Sequence, residues 1–359
     1  PTLALSKKYH VIKVHKNFIV VLIPVRGLSL ETTFKICKLG LRLGKYADII
    51  HAFYVFPTAI WSLPLKLLTR KPTTATVMGA DIEVESSTSY GFRQRKYVDI
   101  LIRLVLKFLD CIIVPNRIDL YEILRLCRGK CRTRVIPWGV NTEVFKPLDA
   151  KQRRQLRASL GIRPDSIVLL SIGRYDPRKN FKNLIQALYH LVKDYKHENV
   201  KLILVIPNID KASSLMDKVK HLELYRYVKF IPKVSVTSLV KIMNTSDLLI
   251  IPSIKEAGPL VALEALACGV PIAGGLTGLI PELIFKTGYG ILLRNVRDPH
   301  MMAEDIALLI KKLPLLSQRR KDVRDIVERE FTWLNIAKQY INLWASLQRD
   351  THCHRNVKS

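Results

Sequence analysis

The sequence predicts an α/β protein made of two doubly wound halves, and three observations carry that prediction. Short β-branched and aliphatic runs alternate along the chain with stretches whose apolar residues recur at three and four, the pattern of strands joined by crossover helices. The chain has 359 residues, 48% of them hydrophobic, which is enough for two cores at about 100–200 residues each. The alternation breaks once, where the turn formers of 137–142 and then Pro147 lead into the charged stretch 151–157. The expected division is a first domain over 1–147, a second over 148–333, a last amphipathic helix at 334–347 and a polar tail at 348–359.

In the first half, strands are expected at 11–14, 18–23, 48–52, 73–77, 111–114 and 134–136. Helices are expected between them at 31–43, 58–68, 96–109 and 117–126, each with one apolar face. The second half repeats the scheme, with strands at 167–172, 201–206, 228–231, 248–252 and 270–273. Its helices fall at 181–193, 213–222, 237–244, 259–268 and 299–312. No short-period repeat or low-complexity segment interrupts either half.

Composition narrows the function classes. The charge balance of 58 Lys+Arg against 30 Asp+Glu gives +28, a surface that attracts anions at long range without saying which. No apolar run approaches the roughly 18–20 residues that cross a bilayer. The N-terminus lacks a charged head, an apolar stretch and a cleavage site in series, so secretion is not expected. Six cysteines in a chain of this length predict free thiols in a reducing compartment. Cys127 and Cys131 have no second Cys or His pair near them in sequence, which argues against zinc.

In a doubly wound domain ligands bind beyond the carboxyl ends of the strands, so the loops of the second half matter most. Gly173-Arg174-Tyr175-Asp176-Pro177-Arg178-Lys179-Asn180 follows a strand and sets three cations where they can grip a diphosphate. Taken alone, the same segment is also consistent with a solvated basic turn. A second loop, 253–264, joins a buried strand to an apolar helix. Pro259 suits the first helical position, which brings the free N–H groups and dipole of that helix to the strand end. Glu256 and Glu264 can both face the same crevice and accept hydrogen bonds from sugar or ribose hydroxyls. The competing reading has Glu256 capping the helix and Glu264 pairing with a lysine.

Together these segments resemble the retaining glycosyltransferases of group 1, also called family 4, whose GT-B fold sets two Rossmann-like doubly wound domains facing across a cleft. The resemblance rests on Gly173-Arg174 with Lys179, on Glu256 and Glu264 with seven residues between them within 256–271, and on Thr277-Gly278-Leu279-Ile280-Pro281-Glu282. It extends to 136–147, which is similar to that family's interdomain linker, and to Phe331-Thr332-Trp333 with the last helix, which resembles its return helix to the first domain.

The resemblance implies a nucleoside-diphosphate sugar, UDP- or GDP-linked, held by the second domain, and a glycan or lipid acceptor on the first. Arg174 and Lys179 would neutralise the diphosphate as the glycosidic bond breaks, so that no metal and no cofactor is required. Glu256 would hold donor-sugar hydroxyls and Glu264 the ribose. Gly173, Gly258, Pro259, Leu260 and Val261 would line the donor site, and the base would lie against Lys233 and Val234. His51, Met78, Gly79 and Asp81 would face the cleft from the acceptor side. Transfer would retain the anomeric configuration with no covalent enzyme intermediate.

Three departures accompany the match. The family's first strand, Gly-rich loop and helix are not evident, and residues 1–8 resemble only the tail of that helix. Met78 stands where many members carry a His that reaches the donor sugar. Pro207-Asn208 stands where the family often has glycines. A catalytically impaired scaffold is therefore the main alternative, ahead of a GT-B-fold epimerase. Nucleic acid is not the expected partner, because no recognition-helix, RNP or zinc-finger signature accompanies the charge. The stretch 93–108, with basic residues flanking an apolar face, suits an anionic membrane surface or, equally, an ordinary crossover helix. A cytoplasmic enzyme, peripheral on the inner face of the cell membrane, is the expected setting.

Overall fold

The computed structural model describes residues 2–6, 9–15, 18–22, 30–44 and 46–356, with side chains over 31–44 and 46–350. The chain opens with β1 (Thr2–Ser6), β2 (Tyr9–His15) and β3 (Phe18–Leu22), an antiparallel meander in the order β1-β2-β3. Two expectations are corrected here. Residues 1–8 contain a strand instead of a helix tail, and β2 and β3 do not enter a parallel sheet. The reason is connection length. Two residues join β2 to β3, whereas a parallel crossover takes about a dozen or more.

After α1 (Leu30–Gly44), the alternation proceeds through β4 (Ile50–Phe53), α2 (Ile60–Thr69), β5 (Thr73–Thr76), α3 (Lys96–Phe108), β6 (Cys111–Val114), α4 (Arg117–Leu126) and β7 (Thr133–Val135). The four strands form a parallel sheet in the order β4-β5-β6-β7. β5 and β6 are buried along their whole length, which is why they appear in sequence as unbroken small and β-branched runs. Asn116 caps α4, its side chain accepting from the Asp119 N–H at 2.8 Å.

The charged stretch after the expected boundary, to which no element was assigned, is helix α5 (Ala150–Ser159). Asp149 accepts from the Gln152 N–H and Gln152 reaches back to the Asp149 N–H, a capping box that starts the helix despite its polar composition. Then follow β8 (Ile167–Ile172), α6 (Phe181–Lys193), β9 (Val200–Val205), α7 (Ser213–His221), β10 (Val228–Ile231), α8 (Val236–Thr245), β11 (Leu248–Ile251), α9 (Leu260–Ala267) and β12 (Ile272–Gly274). α10 (Ile280–Thr287), β13 (Gly290–Leu292), α11 (Pro299–Ser317) and α12 (Arg320–Glu330) complete this half. Its six parallel strands run β10-β9-β8-β11-β12-β13. β8 to β11 is the change of direction in strand order, the place where an open α/β sheet forms a crevice at its carboxyl edge.

Two separate cores follow from this layout, one around β5 and β6 with α3, the other around β8, β9 and β11 with α6, α9 and α11. Val140 and Phe145, in the connection, already belong to the second. Arg324 of α12 donates to the carbonyls of Thr142, Phe145 and Ala267, holding the connection against the end of α9. The last helix, α13 (Trp333–Asn356), returns to the first domain. There Ile336 packs with Ile113 and Ile136, and the Tyr340 hydroxyl lies 2.9 Å from Thr76 Oγ1. α13 runs through the residues expected to fray, to Asn356.

The cysteine expectation is also corrected. Cys127 and Cys131, in the turn after α4, form a disulfide with Cα atoms 5.9 Å apart, inside the range that a bridge spans without backbone movement. The thiols of Cys37, Cys111 and Cys268 are free. The argument from cysteine usage for a reducing compartment therefore does not stand. No described helix is long and apolar enough to cross a membrane.

Candidate active site

The two loops singled out in sequence meet. Lys179 lies in the turn after β8, and its Nζ is 2.5 Å from Glu256 Oε1, in the loop after β11. Gly173 makes this possible, because a Cβ there would sit 3.2 Å from Lys179 Cδ and Cε. A side chain at 173 would thus crowd the lysine stem. Asn180, in a left-handed conformation, ends the turn, and its amide donates to the carbonyls of Pro252 and Val296.

Glu256 is fixed from behind. Its N–H donates to Thr277 Oγ1 at 2.9 Å, and that hydroxyl donates to the Glu256 carbonyl at 3.3 Å. Gly278, at φ +54°, passes so close that a Cβ would lie 2.4 Å from the carbonyl oxygens of both Glu256 and Ala257. Gly258 faces the indole of Trp138, where a Cβ would lie 3.3 Å from the ring. Helix α9 begins at Leu260, with Pro259 one position earlier than expected, at the cap. The amides of Leu260 and Val261 open that helix and have no intrahelical partner by its geometry.

Glu264, one turn inside α9, is half-buried, and its Oε2 is buried without a hydrogen-bond partner. Burial pushes its carboxyl up to about 7. The competing reading, in which a lysine pairs with it, has no support. Lys233 and Val234 lie in the turn after β10, the first exposed and the second half-buried.

Arg174 is exposed beside this centre, close enough for its charge to act on Asp176. The cation held in place is Arg178, to which the family resemblance gave no role of its own. Asp176 binds its Nε at 3.0 Å and Nη2 at 2.8 Å, and its guanidinium lies 3.8 Å from the centre of the Tyr90 ring in the first domain. Asn208, the odd residue after β9, has a task here. Its side chain accepts from the Tyr175 N–H at 2.7 Å and donates back to the Tyr175 carbonyl, bracing the turn that carries Arg174 and Arg178.

The first domain meets this loop directly. Gly79, at φ +102°, is buried where a Cβ would lie 2.9 Å from Ala257 Cβ and 3.1 Å from the Tyr90 hydroxyl. Met78 is half-buried beside it, and its N–H donates to Asp81 Oδ1. Asp81 is fully buried and also accepts from the Val55 N–H at 2.7 Å, so it shapes the turn. Burial pushes its carboxyl up to about 6, against the pull of those amides. Behind the turn, burial raises the carboxyls of Glu83 and Asp119, and both Glu83 oxygens are buried without a hydrogen-bond partner. Asn116 donates to the Ala257 carbonyl at 2.6 Å, and the Arg117 N–H to Glu282 at 2.5 Å. Arg297 pairs with Glu85 at 3.0 Å.

His51 is not a free cleft group. Its Nδ1 lies 2.8 Å from Thr74 Oγ1 and its Nε2 3.1 Å from Thr76 Oγ1, and the ring packs among Phe53, Tyr340 and Trp344. Burial lowers its pKa to about 4, so it serves as a neutral structural imidazole under α13. The residues missed in sequence are Tyr90, Asn116, Trp138 and Arg178. Only Arg178 carried a signal, as the third cation of its turn.

Residues 152–325 match the family model described as glycosyl transferases group 1. The second domain is therefore that of a group 1 glycosyltransferase. The chain is 26% identical over 314 residues to N-acetyl-alpha-D-glucosaminyl L-malate synthase of Bacillus anthracis, covering 84% of the chain and 76% of that protein. It is 31% identical over 183 residues to a D-inositol 3-phosphate glycosyltransferase of Mycobacterium marinum, covering 49% of the chain and 37% of the relative. It spans about half or less of the length of several such relatives. Its GT-B fold is shared with sucrose-phosphate synthase of Thermosynechococcus elongatus, at TM-score 0.77 and 21% identity over 94% of this chain and 85% of the other. Anabaena HepE, solved with UDP and glucose, superposes at TM-score 0.72 and 19% identity over 88% and 81%.

Proposed function

We propose that this glycosyltransferase moves a sugar from a UDP- or GDP-linked donor to a glycan or lipid acceptor, with retention of configuration and without a metal ion. The observation that carries the reading is the convergence of Lys179, Glu256 and the amino end of α9 at the crevice beside β8 and β11. Lys179, with Arg174 nearby, supplies positive charge to a leaving diphosphate, and the open amides of α9 add the helix dipole. Glu256, held by Thr277, is oriented to accept from sugar hydroxyls. Glu264 offers a buried, unpartnered oxygen that a ribose hydroxyl would satisfy. HepE, solved with UDP-glucose, supports a UDP-linked donor by likeness of fold.

With Glu256 tied to Lys179 and Asp81 tied to backbone amides, neither carboxylate stands free to attack the donor. This supports departure of the phosphate with attack by the acceptor on the same face, the acceptor proton passing to the phosphate oxygen. A panel of nucleotide sugars scored for nucleoside diphosphate release tests the proposal, and no release with any donor would overturn it.

Glu264 gives a pH signature. Ribose hydroxyls donate to the ionised carboxylate, so binding draws its pKa down from about 7. Donor affinity is then low below that value and rises with pH, by up to about tenfold per unit, until it levels off above it. Titration calorimetry with a nucleotide sugar, whose diphosphate keeps its charge throughout, reads this directly. Glu264→Gln flattens the profile. A flat wild-type profile would remove Glu264 from the ribose site.

The expected membrane contact has a physical basis in α3. One face buries Val98, Ile102, Val105 and Leu106, while Tyr97, Ile100, Leu104 and Phe108 form a second apolar stripe in solvent, next to Leu67 and Leu68 of α2. Arg95, Lys96 and Lys107 are exposed around it. Arg93, expected there too, turns inward to Asp99 and Glu122. We read this face as docking on an anionic bilayer that presents a lipid acceptor. Burying Ile and Leu side chains is worth about 1.5–3 kcal/mol each. Ile100→Glu with Leu104→Glu therefore abolishes flotation with anionic liposomes while leaving donor binding intact, and unchanged flotation would exclude this face.

A further inference from the structure

On the opposite side of the second domain, at the amino ends of β8, β11, β12 and β13, lies a cavity of about 670 Å³, within the volume range of sites for drug-sized ligands. α5 contributes Arg153, Arg154 and Arg157, and α12 contributes Arg320. Four guanidinium groups face one carboxylate among the lining residues. Asp247 takes Arg153 Nη2 at 2.5 Å and Arg157 Nη1 at 3.1 Å, and also accepts from the Val168 N–H. Its charge is thus shared by two arginines that also donate to backbone carbonyls.

The other two are not compensated. Arg154 is exposed and makes no ion pair, and Arg320 Nε is buried without a hydrogen-bond partner. Ser166, only 4% exposed, lines the same cavity with its Oγ equally unpartnered. Buried donors left unmade are costly, and folded proteins seldom keep two in one cavity. Much of the remaining wall is apolar, including Ile162, Pro164, Leu313 and Pro314.

We propose that this cavity binds a small phosphomonoester whose alcohol portion is apolar. The phosphate takes Arg154, Arg320 Nε and Ser166 Oγ, and the apolar portion lies along Leu313 and Pro314. The site stands independently of the donor reading. Arg320 also packs against Gly269, just past the carboxyl end of α9, whose amino end opens the donor crevice. One helix therefore spans the distance between the two positions.

Calorimetry with hexyl phosphate, inorganic phosphate and hexanol on the whole chain tests it. Hexyl phosphate binds saturably, and each of the other two at least about tenfold more weakly, because each offers half of the recognition. Leu313→Trp, which fills the apolar half, and Arg154→Ala, on the exposed face of α5, each weaken hexyl phosphate by about fivefold or more. Nucleotide sugar neither competes with it nor binds these variants differently. Non-saturable binding, indifference to both substitutions, or displacement by nucleotide sugar would overturn the proposal. Arg154→Ala keeps the test decisive if the tryptophan variant fails to fold.

Discussion

Replacing Lys179 with Ala lowers turnover of the nucleotide sugar by about a hundred- to a thousandfold, the cost typical of removing one preorganised group aimed at developing negative charge. Lys179 has no redundant neighbour in the turn. Arg178 is committed to Asp176 and to the Tyr90 ring, and Arg174 lies exposed at the side. The loss should appear mainly in kcat, because charge on the leaving phosphate builds up as the bond breaks. Lys179→Arg recovers little, since a planar guanidinium does not occupy the place of a point charge. Steady-state kinetics with whichever donor turns over provides the check. A kcat within a few-fold of wild type would withdraw Lys179 from the chemistry.

Gly278→Ala is expected to damage the same centre without touching a charged group. A Cβ at this position meets two carbonyl oxygens at 2.4 Å, and the residue sits at φ +54°, where an L side chain costs roughly 1–2 kcal/mol before any collision. Relief requires the 256–257 peptides to move, and Thr277 ties those peptides to Glu256. Donor affinity and kcat both fall, together by about a hundredfold or more, because small displacements of positioning groups have effects of that size. The melting temperature drops as well, by several degrees, as the loop is wedged off α10. Thr277→Val provides the comparison. It frees the Glu256 backbone without a clash, so a larger loss for Gly278→Ala than for Thr277→Val locates the effect in the close approach.

Most of the second domain was legible in the sequence because its strands are buried on both faces and its helices are strongly one-sided. The limits of α6 and β8 agree to the residue with the periodicity. Elements that break those patterns escaped. α5 is almost wholly polar and betrays itself only by Asp149 and Gln152 at capping distance. β13 is three residues long, and α10 starts within the 277–282 motif, for which no helix was expected. In the first domain, the short joint between β2 and β3 already excluded a parallel pair. In the site, Lys179, Glu256 and Glu264 were legible as charges at strand and helix ends. Tyr90, Asn116 and Trp138 were not, since their roles arise only where segments distant in sequence meet. His51 misled for the same reason. Its partners are two threonines one strand over and a helix almost three hundred residues later.

The ion pair between Lys179 and Glu256 sets a threshold for any anion entering the crevice. Free pyrophosphate or a spent nucleoside diphosphate must win the ammonium from a carboxylate that gains nothing in exchange. An intact sugar nucleotide brings hydroxyls that occupy the carboxylate as its phosphates take the lysine. Once the sugar has left, the acid is free to reclaim its partner, and the enzyme thereby favours fresh donor over its own by-product.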